Sequence, residues 1–123
     1  MRIATGLLIV GIAHPAMAAE VMEGVPTQFL GGWNSVLAHC GTSQNDSSLR
    51  IESDHIYFWE SDGPILAVVV QGQHELAIIV ELSGEGQTWL STAQFKLSPA
   101  KDKLIYASIP GEDFVRHRCP PGK

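Results

Sequence analysis

The chain has 123 residues, of which 45% are hydrophobic and 17% charged, the content of one ordinary globular domain. Eight Lys plus Arg against 13 Asp plus Glu leave a net charge of -5, a field that repels nucleic-acid phosphates and anionic lipid headgroups and so speaks against a nucleic-acid partner. A chain this short, without alternating strands and long helices, also excludes a dinucleotide-binding fold.

The first segment reads as an address. Met1-Arg2 gives a positive start, Ile3 to Ala13 is apolar and uncharged, and His14-Pro15 breaks the run just before Ala16-Met17-Ala18. Basic end, apolar core and small residues at the cut are the order of a secretory signal, and the run is roughly half the ~20 apolar residues that a membrane span needs. We expect residues 1–18 to be removed and residues 19–123 to form a single β-rich domain in the periplasm or outside the cell. No later run reaches spanning length, so no membrane span is expected. Loss of Arg2 leaves seven Lys plus Arg against 13 Asp plus Glu, so the charge moves from -5 to -6.

Next comes Val25 to Trp33, a short helical turn: Pro26 suits an early helical position and Gly31-Gly32 ends any helix. Phe29 and Trp33, four apart, are expected to plug one end of the fold, although an aromatic ligand platform has the same spacing. Cys40 and Cys119 are an even pair in an exported chain, so one disulfide is expected. His39-Cys40 and His117-Arg118-Cys119 offer a rival Cys/His zinc set. Against it, neighbours on a strand point to opposite faces, so no metal or other cofactor is assigned.

From Leu49 onward the period is that of strands. The expected runs are 49–52, 55–60, 65–70, 74–82, 88–97, 103–109 and 114–119, separated by turn clusters such as Ser61-Asp62-Gly63-Pro64 and Ser83-Gly84-Glu85-Gly86. Short connections imply an antiparallel meander of about seven strands, and closing it into a small barrel or a strongly curled sheet removes exposed edges. In the longest run Trp89, Ser91, Ala93, Phe95 and Leu97 alternate with polar residues and should face the core. In the last run the disulfide favours Val115, His117 and Cys119 as the inner set. Ile65 to Val70, apolar on both faces, belongs inside a closed sheet.

Taken together, Pro26-x-x-Phe29-x-Gly31-x-Trp33, Cys40, Ile51 with Phe58-x-Glu60-Ser61, Gly84-Glu85-Gly86-x-x-Trp89 and Arg116-x-Arg118-Cys119-Pro120 resemble a group of short exported proteins of Gram-negative bacteria. That group carries no established activity to transfer. The Gly31-x-Trp33 element is also similar to the opening of lipocalin-type barrels, a likeness that implies an apolar ligand at the barrel mouth.

Catalytic chemistry finds little support. Glu52, Asp54, Glu60 and Asp62 cluster around one strand, and paired carboxylates are the tools of a small hydrolase, yet Asp54 and Asp62 sit in turns where Asp bonds its own backbone. Glu60, beside Phe58 and Trp59, is expected to pair with Arg116 or Arg118, because a lone carboxylate among aromatics is costly to desolvate. No residue is assigned a catalytic role. The sequence favours a non-enzymatic binding or inhibitor module, with Trp33, Trp59, Glu60, Arg116 and Arg118 as candidate binding residues and an envelope protein or small apolar ligand as partner. A purely structural, envelope-associated role is the alternative, and a hydrolase acting through carboxylates near Glu60 a weaker one.

Overall fold

A computed structural model describes residues 6, 18–109 and 111–123; the expected signal segment therefore lies outside the described residues except for Gly6 and Ala18. Nine strands follow in order: β1 (Ala19–Met22), β2 (Gly31–Asn34), β3 (Leu49–Ile51), β4 (His55–Tyr57), β5 (Asp62–Gln71), β6 (Glu75–Gly84), β7 (Gln87–Leu97), β8 (Lys103–Ile109) and β9 (Glu112–Arg118). Each strand from β2 to β9 pairs antiparallel with the next, and β9 returns to β2, which closes an eight-strand meander barrel. The remaining strand extends the wall. β5 is ten residues long, so its first part pairs with β4 and its last part, Val68 to Gln71, pairs with β1.

Alternating side chains fill the interior. Leu76, Ile78, Val80 and Leu82 of β6 face across to Ala93, Phe95 and Leu97 of β7 and to Leu104 of β8, all buried. Phe29, in a single 3-10 turn at Thr27–Phe29, is fully buried with Trp33, and the two plug one end as the sequence predicts. Gly63 has a specific reason. A Cβ there would overlap the Glu81 carbonyl, so only glycine lets β5 and β6 approach this closely.

The expected antiparallel meander barrel with one disulfide is the fold observed, extended by the four-residue β1 and the Gly-rich β2, which carry no period-two signal. Four finer expectations are corrected. The inner face of β9 is the set Phe114, Arg116 and Arg118: these are the partners of Tyr106, Leu104 and Trp33, and cross-strand partners share a face. The Cys40–Cys119 disulfide forms as expected but lies outside the apolar cluster, because the 35–48 connection folds over the outer side of β2 and β9. Trp89 has the inward parity but remains 41% exposed, since β7 pairs with β8 only from Phe95 to Leu97 and its first half runs beyond that contact. In β5 a register shift between Ile65 and Ala67 leaves Leu66 exposed.

Candidate functional site

Charge divides the barrel into two unlike ends. One end carries the 35–48 connection, the β4–β5 turn at 58–61 and the hairpin turns of β6–β7 and β8–β9; the other carries the 23–30, 52–54, 72–74 and 98–102 connections. At the first end stand Asp46, Glu60, Asp62, Glu81, Glu85 and Asp113, against Arg116, which is buried, and Lys123, whose stem packs against Gly41 of the 35–48 connection. Lys96, Lys101, Lys103 and Arg118 lie at the other end, where Glu75 pairs with Lys96 at 3.7 Å and Glu52 with Arg50 at 3.5 Å. Most of the net negative charge therefore sits at one end.

The β6–β7 hairpin projects from that acidic end. Gly84 and Gln87 pair across a two-residue loop in which Glu85 (φ 50) and Gly86 (φ 76) both take positive φ, the backbone of a type I′ turn whose twist matches its strands. Such a turn holds the hairpin rigid. Just below it, Leu90 is 68% exposed and Trp89 41%, and Leu90 stands across from Glu81. The Trp89 ring lies about 3.5 Å from where a Cβ on Gly84 would sit, and that same point lies beside the Glu60 carbonyl, so the 58–61 turn borders the indole. Trp59 in that turn is 46% exposed and its indole N–H donates to the Ser43 carbonyl at 3.2 Å. The hairpin thus exposes Trp89 on one face, beside the 58–61 turn with its half-exposed Trp59, and Leu90 on the other, across from Glu81.

The other candidate residues have structural work. Arg118 stacks over the Trp33 ring at 4.2 Å and donates to three main-chain carbonyls, those of Lys101 (2.8 Å), Leu30 (3.1 Å) and Gln28 (2.6 Å), which latches the plugged end shut. Burial holds its guanidinium below the ordinary arginine range, with Asp102 opposing the shift. Arg116 is 7% exposed, donates to the Ser47 carbonyl at 2.7 Å and stacks on Phe114 at 4.8 Å. Its pKa is pushed down to about 10 by desolvation, so it remains a cation at neutral pH. The expected pairing of Glu60 with Arg116 or Arg118 is thus overturned. Glu60 is exposed in the turn after β4, where water solvates it and no partner is required.

Ser47 belongs to a network that sequence reasoning missed. Asn34, 1% exposed, accepts at Oδ1 from the Val36 N–H (2.9 Å), Asn45 Nδ2 (2.9 Å) and Ser47 Oγ (3.0 Å). Asn45 Nδ2 also meets His39 Nδ1 at 2.7 Å, so the amide has both hydrogens engaged and the imidazole accepts at Nδ1. Its one available signal was composition: the Thr42 to Ser48 stretch is rich in residues that bond nearby backbone. The network pins the 35–48 connection rather than forming a reactive group.

Carboxylates once considered for hydrolysis are dispersed. Asp62 pairs with His55 at 2.7 Å and Glu52 with Arg50, and both cysteines of the rival zinc set are consumed in the disulfide. Among the described residues no cluster of His, Cys, Asp and Glu could hold a metal ion, and no helix is long and apolar enough to cross a membrane. A groove of about 290 Å³ runs along the outside of the sheet past Ala19, Val69, Gln71, Ala77 and the Glu75–Lys96 pair, shallow and without concentrated charge. No family model, curated protein or solved structure matches the chain.

Proposed function

We propose that the protein is a non-enzymatic binding module of the cell envelope, exported to the periplasm or beyond, which presents the acidic end of its barrel to a cationic protein partner. The exposure of Trp89 and Leu90 on a rigid hairpin carries this proposal. A tryptophan and a leucine held in water on a hairpin bordered by Glu60, Glu81 and Glu85 have the composition of an interface centre with a charged rim. Carboxylates that outnumber the cations beside them favour a partner with a basic cleft, such as an envelope hydrolase under inhibition, and speed encounter with it. The interior is filled by Phe29, Trp33, Phe95 and their neighbours, which supports a protein over a small apolar ligand.

Capture from envelope extract on the immobilised, oxidised protein tests this. A basic protein that is retained at low salt, released at high salt and lost with a Trp89→Ala/Leu90→Ala double variant of unchanged stability is the expected result. Equal retention by the double variant would overturn the proposed site. Recovery of bound lipid from the purified protein would instead favour an apolar-ligand carrier.

A further inference from the structure

Among the described residues, half of one edge of β7 is unpaired. It pairs with β6 along its whole length, from Gln87 to Lys96, but with β8 only at Phe95, Lys96 and Leu97. The Leu97 N–H donates to the His74 carbonyl on the β6 side, whereas the Ser98 N–H donates to Lys103 on the β8 side. Main-chain groups alternate sides along a strand, so the N–H and C=O of Thr88, Leu90 and Thr92 all point to the open edge. All three residues are exposed, and no other described strand or loop hydrogen-bonds to them there.

This edge lacks the usual protection. Gln87-Thr88-Trp89-Leu90-Ser91-Thr92-Ala93-Gln94 has no charge, no proline and no glycine, while edge strands are ordinarily blunted by lysine, proline or a bulge. The other open edge, that of β1, is only four residues long and carries Glu20, whereas the longer, regular, uncharged edge at the end that also holds Trp89 and Leu90 is a template for another strand.

We propose that a partner adds an extended segment to β7 along Thr88 to Thr92, continuing the sheet, and that this segment is cationic. The inference rests on the binding role argued above and gives it a mechanism. An added strand would lie about 4.8 Å from β7 and so about 10 Å from β6, where Glu81 projects, with Glu85 at the hairpin tip. That separation is comparable to the screening length at physiological salt, so basic residues on the added strand are attracted and acidic ones repelled. A second copy of this chain is disfavoured by the same charges, because its own edge brings another acidic end. Backbone pairing supplies the affinity, and alternate side chains would read Leu90 and Thr92 on one face and Trp89 on the other.

An eight-residue peptide alternating lysine with valine serves as the probe, with a glutamate-valine peptide as its counterpart. Binding to the oxidised protein is measured by calorimetry, and amide hydrogen exchange is followed residue by residue. The lysine peptide should bind, slow exchange at Thr88, Leu90 and Thr92, and lose affinity as salt rises; the glutamate peptide should bind at least tenfold more weakly. Thr92→Pro removes an edge N–H and leaves the β6 ladder and the Trp89 and Leu90 side chains in place, so it should weaken binding roughly tenfold or more. Unchanged exchange at the three amides with peptide bound would overturn strand addition, whether or not Thr92→Pro folds. So would full binding by a folded Thr92→Pro. A natural partner captured equally by Thr92→Pro, yet lost with Trp89→Ala/Leu90→Ala, would refute strand addition and leave the binding role standing. Concentration-dependent dimers that protect the same amides without peptide would assign the edge to a second copy instead.

Discussion

Arg118→Ala should unlatch the plugged end of the barrel. The guanidinium donates to the carbonyls of Lys101, Leu30 and Gln28 and covers the Trp33 ring at 4.2 Å, tying three separate segments to the last strand. Hydrogen bonds from a charged donor contribute about 1.5 to 3 kcal/mol each when fully desolvated, but this side chain is only partly buried, so we take ~1 kcal/mol each and add about 0.5 to 1 for the ring contact. The loss is then about 3 to 4 kcal/mol. For a domain of roughly 100 residues that corresponds to a fall in melting temperature on the order of 12 to 30 °C. Arg118→Lys should recover only part of it, since an ammonium cannot reach three carbonyls in fork geometry. Urea denaturation of the oxidised proteins measures both. An Arg118→Ala midpoint equal to wild type would refute the latch and return Arg118 to the candidate binding residues.

Further outcomes follow from burial and charge. Phe95→Ala should cost about 3 to 5 kcal/mol, whereas Trp89→Ala, half in water, should cost about 1 kcal/mol or less, and paired denaturation curves compare them. Thiol titration of denatured, unreduced protein should find no free thiol; reduction of the Cys40–Cys119 link, which closes 79 residues of separation, should cost up to about 4.5 kcal/mol on the chain-entropy model. Glu60→Gln should leave stability within about 0.5 kcal/mol, as expected of an exposed carboxylate, and weaken partner capture modestly; a large loss of stability would restore the buried ion pair.

Why some features were legible in the sequence and others were not has a physical basis. Alternation from Leu49 to Arg118 marks strands because every second residue there must leave water, and short turns dictate antiparallel order, so the closed meander could be anticipated. Parity fixes the side of a residue but not its height. Trp89 and Phe95 share a face, yet β8 reaches only one of them, and where a neighbour stops is a tertiary fact. The inversion of β9 has a similar origin. A buried disulfide suggested an inner face, but the 35–48 connection wraps outside the barrel and buries Cys119 from there, leaving Arg116 and Arg118 to line the interior. The same limit hid the site. Six scattered carboxylates are ordinary surface charge in sequence, and only the topology collects them at one end, away from Lys96, Lys101 and Lys103.

Site-specific photo-crosslinking tests the central claim most directly. A photoreactive phenylalanine derivative is placed at Leu90, on the acidic end, or at Lys103, on the opposite end, and the oxidised proteins are irradiated in envelope extract. The Leu90 position should yield a cross-link to a basic protein that disappears at high salt, and the Lys103 position should yield none. A cross-link from Lys103 alone, or the same adduct from both positions, would contradict the assignment of binding to the acidic end.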